Sequence, residues 1–388
     1  MPKEALAHFR GVRERGAELY GEWQERPRAT GREHPELAHE LERLIRRRLP
    51  EGSDAGVPRF HATGTMTATR KSSHAVLQWA AARMPELVGG SADLAPSTLA
   101  VIDGADDVRP GAYAGRNLHF GVREHAMGAI VNGLTLHYLR AYGSTFLVFS
   151  DYMRGSIRLA ALMGVPSIFV FTHDSIGLGE DGPTHQPIEQ LAGLRAMPGL
   201  AVIRPAGANE TALAWRYAIA AREHPSVLIL SRQGVPTWNP AAVPDDAIER
   251  GAYVLRDSYR EPHPPELILI ATGSEVHVCV GAAELLEADG IATRVVSMPC
   301  MANFAAQGGS YRDRVLPPGV KARVSLEAAS TGDWHRWVGD LGKAIGMRSY
   351  GASAPAGALY RHFGLTPERV AEAGRQTVRR ARSEKGVR

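Results

Sequence analysis

The sequence predicts an α/β protein with two doubly wound domains preceded by a helical arm. Strand-length apolar runs alternate with helix-length stretches from residue 70 onward, and three prolines within 236–244 interrupt this alternation. The preceding residues show helical periodicity without strands. We therefore expect 1–64 to form the arm and linker, 65–240 a first domain and 250–388 a second.

The composition is that of an ordinary globular chain. Its 388 residues are 44% hydrophobic and 22% charged, which provides for two cores and excludes a disordered chain. The net charge is +4, but Lys and Arg are dispersed except at 46–48 and 375–388, which favours solvated helix faces over nucleic-acid binding. Cys279 and Cys300 lack metal-ligand spacing, and no signal peptide or membrane-length run is evident, so we expect a cytoplasmic protein without a membrane partner.

The arm contains two helical patterns separated by His34-Pro35. Their apolar residues are Leu6, Phe9, Val12, Leu19 and Trp23, then Leu37, Leu41, Leu44, Ile45 and Leu49. Each pattern has one apolar stripe among many charges, so we expect these helices to cover a neighbouring domain rather than form a core. Residues 52–64, with Gly, Pro and Ser, are the predicted linker.

Strands and helices alternate through both domains. In the first domain the predicted strands are 87–90, 118–122, 141–149, 167–172, 200–203 and 226–231, and the helices are 73–84, 123–138, 152–163 and 209–222. In the second domain the predicted strands are 267–271, 293–297, 322–326 and 347–350, and the helices are 275–288, 334–344 and 366–373.

The loop from His173 to Gln186 is the strongest candidate for a functional site. It follows a buried strand, and ligands of open α/β sheets bind at the carboxyl ends of strands. Each of its residues alone is typical of a turn. Two His, two Asp and one Glu in a single glycine-rich loop nevertheless predict a site.

This loop also contains the spacing of a dinucleotide-binding fingerprint, Gly177-Leu-Gly-Glu-Asp-Gly182. The third glycine of such a fingerprint lies in an opening helix, whereas Pro183 and Pro187 follow here. About 20 residues further on stands Arg204 instead of a ribose-binding acid. The dinucleotide interpretation is therefore disfavoured.

Other strand ends carry polar or aromatic residues. Glu124 follows the second strand, where a carboxylate alone is explained by the helix dipole. The aromatic row at 145–152 is by itself typical of a core. The loop 90–97 follows the first strand. None of these features alone predicts a function, but together they are informative.

Nine segments occur in an order and at separations that closely resemble transketolases. They are Arg70-Lys-Ser72, Gly90-Ser-Ala-Asp-Leu-Ala-Pro-Ser97, Gly121-Val-Arg-Glu-His125, Thr145-Phe-Leu-Val-Phe149, 173–187, Leu228-Ile-Leu-Ser-Arg-Gln233, Ala271-Thr-Gly-Ser-Glu275, Val295-Val-Ser-Met-Pro299 and Ser353-Ala-Pro355. The resemblance covers nearly all of the chain. It implies a thiamine diphosphate pyrimidine-binding fold followed by a transketolase C-terminal domain.

The resemblance does not extend to the family's first domain, which binds the cofactor's diphosphate and its metal. No Gly-Asp-Gly followed downstream by Asn occurs in the sequence, so no metal ligand is expected in this chain. Residues 1–49 resemble the arm that normally follows that domain. Departures from the family at 300–304 and 328–333 put partner contacts, rather than chemistry, in doubt.

The resemblance assigns cofactor contacts to five residues. Glu124 matches the family's catalytic glutamate, whose carboxyl group bonds to the pyrimidine N1' and favours the imino tautomer of the ring. In that tautomer the 4'-nitrogen can take the thiazolium C2 proton. An apolar surrounding would favour the protonated carboxyl group. Phe146, Phe149 and Tyr152 match the family's aromatic wall around the pyrimidine. Asp93 matches a residue that supports the cofactor pocket.

The resemblance likewise assigns the sugar contacts. Arg70, Ser97, His173 and Arg232 match contacts to the phosphate of the sugar, a dianion that suits guanidinium groups. Asp181 and His185 match contacts to the hydroxyls nearest the reacting carbon, and His185 joins Glu124 as an expected catalytic residue.

The implied activity is transfer of a two-carbon ketol unit between sugar phosphates. The expected partners are an N-terminal transketolase subunit that carries the diphosphate domain with Mg²⁺ or Ca²⁺, and a second copy of this chain related by a two-fold axis. Alternatives are a dihydroxyacetone synthase, another thiamine diphosphate enzyme's beta-type subunit, and a non-catalytic assembly subunit.

Overall fold

The computed structural model describes residues 2–53, 56–258 and 264–386, and the side chains of 385 and 386 lie outside the description. Positions 54 and 55 of the predicted linker and the last two residues of the predicted second domain also lie outside it. The predicted fold class is confirmed, with a helical N-terminal region, a parallel sheet and a mixed sheet. The chain divides into two compact units, 1–51 and 52–388.

The first unit consists of two helices, Lys3–Glu33 (α1) and Pro35–Ile45 (α2). Pro35 at the first position of α2 suits a helix start, since that N–H needs no intrahelical partner. Neither helix contains a buried residue. Phe9 and Trp23 of the predicted stripe are 68% and 60% exposed. The helices therefore form no core of their own, as expected.

The first sheet is entirely parallel, in the order β2-β1-β3-β4-β6-β5. Its strands are Leu87–Ser91 (β1), Asn117–His119 (β2), Arg140–Phe146 (β3), Ile168–Thr172 (β4), Ala201–Ile203 (β5) and Ser226–Leu230 (β6). The first domain's helices are Thr69–Ala81 (α3), Ala95–Thr98 (α4), Glu124–Leu136 (α5), Ser150–Met163 (α6), Gln190–Arg195 (α7) and Ala208–Ala220 (α8).

Both faces of this sheet are covered, which makes the domain doubly wound. Phe169 and Phe171 share one face and pack in a buried cluster with residues of α5 and α6. On the other side Tyr142 meets Trp215 of α8 edge to face at 6.2 Å, and the Trp215 indole donates to Ser73 of α3 at 2.7 Å.

The second sheet has the order β11-β10-β8-β9-β7 and one antiparallel pair, between β7 and β9. Its strands are Tyr253–Asp257 (β7), Leu267–Ala271 (β8), Thr293–Ser297 (β9), Arg323–Leu326 (β10) and Lys343–Ile345 (β11). The helices are Ala247–Arg250 (α9), Val276–Ala288 (α10), Met301–Ala305 (α11), Gly309–Val315 (α12), His335–Val338 (α13), Ala356–His362 (α14) and Pro367–Gly386 (α15).

Alternate residues of β8 enter different cores. Leu267 and Leu269 pack with α10, α14 and α15, whereas Ile268 and Ile270 pack with α11 and α12. This central strand is fully buried on both faces, as its unbroken apolar sequence predicts. The second domain is therefore also doubly wound.

Several predicted elements are wrong. The predicted helix 334–344 is one turn, α13, because Gly339 leaves the helix with φ +71° and the chain then enters β11. The predicted strand 347–350 is therefore displaced to 343–345. The edge strand β7 and the short helices α11, α12 and α14 were not predicted.

Several predicted boundaries also shift, and helix α3 spans Thr69–Ala81 instead of 73–84. The second strand ends at His119 instead of residue 122, before Gly121 with φ +70°. The third strand ends at Phe146, because Leu147–Phe149 form a 3₁₀ turn that leads into α6. Helix α15 continues to residue 386 instead of 373. Within the described ranges, no helix is both long enough and apolar enough to cross a bilayer.

Candidate active site

The carboxyl ends of the first sheet bring the predicted site residues to one edge. Strand β1 lies between β2 and β3, so the chain reverses its direction across the sheet at this point, where α/β proteins bind ligands. The residues follow the strands as Asp93 and Ser97 after β1, Glu124 after β2, Phe146, Phe149 and Tyr152 at the end of β3 and beyond, His173, Asp181 and His185 after β4, and Arg232 after β6.

Arg70 reaches this edge from a helix. The Thr69 N–H donates to the Ser231 hydroxyl at 3.0 Å, and the Ser231 N–H donates to the Thr69 hydroxyl at 2.7 Å. These reciprocal bonds attach the start of α3 to the end of β6. Arg70 and Arg232 are therefore carried by two joined segments, although they are far apart in the sequence.

Glu124 is the first residue of α5 and is only 7% exposed. The preceding Arg123 has the extended φ of −149°, which ends the loop after β2 and begins the helix at the carboxylate. A first-turn carboxylate complements the helix dipole, but a buried one also needs a polar partner. This arrangement provides a hydrogen-bonding group in an enclosed position.

The aromatic row forms a continuous wall. Phe146 stacks on Phe149 with ring centroids 5.8 Å apart and planes 15° apart, and Tyr152 follows at 6.1 Å from Phe149. The 3₁₀ turn and the first turn of α6 place every third residue on the same side. The inner end of the wall is buried, whereas Tyr152 is 67% exposed. Such a wall suits a flat ring.

Two histidines connect this wall to the polar loop. The His173 ring lies 3.7 Å from the Phe146 ring, and the His185 ring meets Phe146 and Phe149 edge on at 6.1 and 5.5 Å. The hydroxyls of Thr172 and Thr184 lie 2.8 and 2.9 Å from the respective Nδ1 atoms. Each Nε2 is therefore the ring nitrogen left for a ligand.

The loop 173–186 is not a dinucleotide-binding turn. Ile176–Leu178 form a 3₁₀ turn capped by the Ser175 hydroxyl, and Gly179 and Gly182 have φ of +94° and +77°. Turns follow Gly182, where a fingerprint requires a helix. His173 also has a positive φ, of +60°, which is strained for a residue with a Cβ.

Positive charge surrounds His173. Burial, then the charges of Arg70, Arg232 and His185, lowers the pKa of His173 to about 3. Burial, then the like charge of Arg232, lowers the pKa of Arg70 as well. These pKa shifts indicate that Arg70, Arg232 and His173 face a common space. Two guanidinium groups and a donor ring around one space favour a bound anion.

Arg70 has unused hydrogen-bonding capacity. One guanidinium nitrogen donates to the Ser97 carbonyl, so Ser97 contributes its main chain to this contact rather than its hydroxyl. Among the described residues, the buried Nε of Arg70 has no hydrogen-bond partner. A buried donor without a partner is costly, and a phosphate oxygen would satisfy it. The residues therefore fit a phosphorylated ligand.

Asp93 and Asp181 are exposed at the mouth of this edge. Asp93 has φ +61°, a conformation that Asp tolerates better than most residues, and it follows Ser91, whose hydroxyl donates to the Ser144 carbonyl. Both carboxylates therefore lie on loops at the carboxyl ends of strands, Asp93 after β1 and Asp181 after β4.

The sequence did not indicate a buried ion cluster behind this edge. We call Asp174, Arg204, Glu275 and Glu327 the interdomain ion cluster, since the first two belong to the first domain and the last two to the second. Each side chain is at most 1% exposed. A sequence signal exists, because His173-Asp174, Arg204 and Glu327 directly follow buried strands.

The segments 300–304 and 328–333 each contain a residue that contacts the first domain. Asp333 accepts from Arg195 at 3.1 Å, and the Tyr217 hydroxyl donates to Asn303 at 3.3 Å. The segments 300–304 and 328–333 therefore make contacts within this chain. Among the described residues, no group of three His, Cys, Asp or Glu could hold a metal ion.

The low pKa of His173 makes stability depend on pH. The unfolded ring takes up a proton near pH 6.5, whereas the folded ring stays neutral to about pH 3, so unfolding binds a proton between these values. The stability is fully present above pH 6.5 and declines as the pH falls. Between pH 7.5 and 5 we expect the unfolding free energy of His173→Gln to fall by about 2 kcal/mol less than that of wild type.

Urea unfolding at the two pH values measures this difference. His335→Gln is the control, since this histidine is exposed. If His173→Gln and wild type lose equal stability on acidification, His173 is not a buried neutral ring.

Two family models match the chain. "Transketolase, pyrimidine binding domain" matches residues 65–237, and "Transketolase-like TK C-terminal domain" matches residues 251–366. The first range contains every residue of the predicted site.

Similar proteins include whole transketolases and a split one. The transketolase of Mycobacterium tuberculosis is 49% identical over 390 residues, which cover 97% of this chain and 55% of that protein. The structure of transketolase from Leishmania mexicana has a TM-score of 0.90 at 40% identity and covers 98% of this chain and 55% of that chain. A structure titled "Split gene transketolase, inactive beta4 tetramer" has a TM-score of 0.64 at 25% identity and covers 80% of this chain and 98% of that chain. The chain thus spans about half the length of the whole transketolases that it matches.

Proposed function

The chain belongs to the transketolase family, and from this premise we propose that it supplies half of a thiamine diphosphate-dependent transketolase site. The assembled enzyme transfers a two-carbon ketol unit from a ketose phosphate to an aldose phosphate. One observation carries the proposal: the aromatic wall shares an edge with the group formed by Arg70, Arg232 and His173, and the His173 ring lies 3.7 Å from the Phe146 ring. A ring and a phosphorylated sugar bound at these two surfaces would be neighbours.

We assign the cofactor's pyrimidine to the aromatic wall and Glu124. The stacked Phe146 and Phe149 give a flat surface of about the size of one ring, and Glu124 supplies a buried carboxyl group for a ring nitrogen. Thiamine diphosphate, when bound, supplies an acidic thiazolium carbon and a sink for the electrons of the transferred carbonyl unit. Glu124 holds a proton at the pyrimidine nitrogen and sets its tautomer. Asp93 supports the mouth of this pocket.

The sugar phosphate binds across the other half of the edge. Arg70 and Arg232 bind the phosphate, and its negative charge relieves the repulsion between the two guanidinium groups. The neutral ring of His173 donates a hydrogen bond to the same phosphate. Ser97 fixes Arg70 through its carbonyl group. Asp181 and His185 bind the hydroxyls nearest the reacting carbon, where His185 also moves a proton to or from the sugar.

The diphosphate and its Mg²⁺ or Ca²⁺ are bound by a partner polypeptide, an N-terminal transketolase subunit with the family's diphosphate-binding domain. The length of the chain relative to whole transketolases supports this assignment. So do the exposed apolar side chains Phe9, Leu19 and Trp23 on α1, because exposed apolar surface usually marks an interface. Ile130, Leu159, Leu162 and Met163 on α5 and α6 are exposed as well and suit pairing with a second copy of this chain.

We further propose that two copies of this chain pair through α5 and α6, so that two partners complete two equivalent sites. The buried free thiols of Cys279 and Cys300 support a reducing, cytoplasmic location.

The acceptor distinguishes this function from a dihydroxyacetone synthase. The chain is combined with a polypeptide that carries the family's diphosphate-binding domain, and ketol transfer is measured with an aldose phosphate or with formaldehyde. We expect clear preference for the aldose phosphate, because Arg70, Arg232 and His173 are assigned to a phosphate group that formaldehyde lacks. Preference for formaldehyde would favour the synthase, and a well-formed complex without turnover would favour a non-catalytic subunit.

A further inference from the structure

The interdomain ion cluster is centred on Arg204, which follows β5. Its Nε and Nη2 atoms donate to one oxygen of Asp174 at 3.2 and 2.7 Å. Its Nη1 atom donates to Glu275 and lies 3.5 Å from Glu327. One arginine thus joins the first residues of the sugar-binding loop to two carboxylates of the second domain. Breaking such a pair is costly, since it leaves a buried charge unpaired.

Asp174 has no freedom within this cluster. One carboxylate oxygen also accepts from the Ser274 hydroxyl at 2.9 Å, and the other accepts from Ser175 at 3.1 Å and Gln233 at 3.4 Å. The preceding residue is His173, whose φ of +60° is strained. A strained residue keeps its conformation only if its surroundings fix it. The fully bonded Asp174 side chain is such a restraint, one residue away.

The second domain also holds the far end of the loop. The Ser353 hydroxyl donates to the Glu180 carbonyl at 2.5 Å, next to Asp181. The Gln186 amide donates to the Gly179 carbonyl at 3.0 Å and to the Ala352 carbonyl at 2.9 Å. Gly351 permits this approach, because a Cβ there would lie 1.7 Å from the Oε1 atom of Gln186 in its present position.

Tyr360 connects the two attachments. Its hydroxyl donates to Glu275 at 2.6 Å and lies 3.5 Å from the hydroxyls of Ser175 and Ser274. Tyr360 is on α14, which follows the segment that holds Glu180 and Gln186. The loop therefore rests at both ends on one continuous stretch of the second domain, 351–360.

We propose that the second domain is the rigid anchor of the sugar-binding loop 173–186, with Asp174, Tyr360 and Ser353 as positioning residues. Asp174 and Tyr360 fix the His173 end, which receives the phosphate. Ser353 fixes the Asp181 end, which receives the hydroxyls. The kinetic consequences rest on the proposed function, whereas the ordering of the loop does not.

Hydrogen exchange on the full chain tests the anchor without any activity. Asp174→Asn keeps the shape of the side chain but removes the charge that Arg204 pairs with. We expect exchange of the amides in 173–178 to rise about tenfold, as for loss of a charged hydrogen bond, with the central strands β4 and β8 unchanged. Unchanged exchange in this loop, or an equal rise in the strands, would overturn the anchor.

Tyr360→Phe decides the question if Asp174→Asn does not fold, since it removes one hydroxyl and keeps the ring. Tyr311→Phe is the matched control, because that hydroxyl donates to the Ala252 carbonyl at 2.8 Å within the second domain. We expect exchange of 173–178 to rise about threefold in Tyr360→Phe and not in Tyr311→Phe. Equal behaviour of the two variants would overturn the role of Tyr360.

Kinetics of the assembled enzyme separate positioning from general destabilisation. Tyr360→Phe should raise KM for a phosphorylated ketose about threefold and leave KM for hydroxypyruvate, which lacks the phosphate, within a factor of about two. Ser353→Ala should raise both KM values about threefold, since both donors use the Asp181 end. Equal effects of the two variants on both donors would overturn the division of the loop. Wild-type inactivity would refute the proposed function instead, and hydrogen exchange would then decide on the anchor alone.

Discussion

Replacing Glu124 by Gln is expected to lower the turnover of the assembled enzyme by about 100-fold or more, with cofactor affinity far less affected. Glutamine keeps the size of the side chain and one hydrogen bond, but it cannot hold a proton at the pyrimidine nitrogen and set the tautomer equally well. The position is buried, so water cannot substitute for the carboxyl group. Steady-state turnover and calorimetric titration with thiamine diphosphate measure the two quantities.

The control must account for the helix dipole. Glu368 also lies in the first turn of a helix, α15, far along the chain from the predicted site. Glu368→Gln should leave turnover unchanged, because this carboxylate interacts only with the start of its own helix. If Glu124→Gln behaves like Glu368→Gln, Glu124 only stabilises α5 and has no part in the mechanism.

Alanine at Arg70 or Arg232 is expected to weaken transition-state binding of phosphorylated sugars by about 2 to 3 kcal/mol, the size of a charged hydrogen bond. Hydroxypyruvate lacks the phosphate, so its kcat/KM should scarcely change. Arg232 is the cleaner test because it is exposed, whereas Arg70 also bonds the Ser97 carbonyl. The measured quantity is kcat/KM for each donor.

Arg83→Ala is the matched control. Arg83 lies over the Trp79 ring, away from the strand ends, so its removal should affect neither donor. Equal losses for the phosphorylated and unphosphorylated donors in the Arg70 and Arg232 variants would mean that these arginines do not bind the phosphate.

The regular elements could be predicted where local sequence and burial agree. Strands β8 and β9 occupy the predicted residues, and every residue of both strands is buried in the sheet. Residues 334–344 were misassigned, since their apolar spacing suits a helix, but Gly339 ends the helix with φ +71° and the chain continues into β11, which pairs with β10. That pairing depends on the second sheet as a whole, which no local pattern contains.

The candidate site divides in the same way. The loop 173–186 was evident from its ionisable residues alone, whereas the roles of Glu124, Arg70 and Arg232 came from family resemblance. The ends of buried strands indicated where the charges of the interdomain ion cluster stand but not which of them pair, because Arg204 is separated from Glu275 and Glu327 by 71 and 123 positions. Pairing charges over such distances requires the order of strands in both sheets.

The proposed function requires a site completed by a second polypeptide, and calorimetry with thiamine diphosphate and Mg²⁺ tests this most directly. The chain is titrated alone and then together with a polypeptide that carries the family's diphosphate-binding domain. We expect no tight binding by the chain alone, because Glu124 and the aromatic wall contact only the pyrimidine, and tight binding with ketol transfer once the partner is present. Tight binding or turnover by the chain alone would contradict the account.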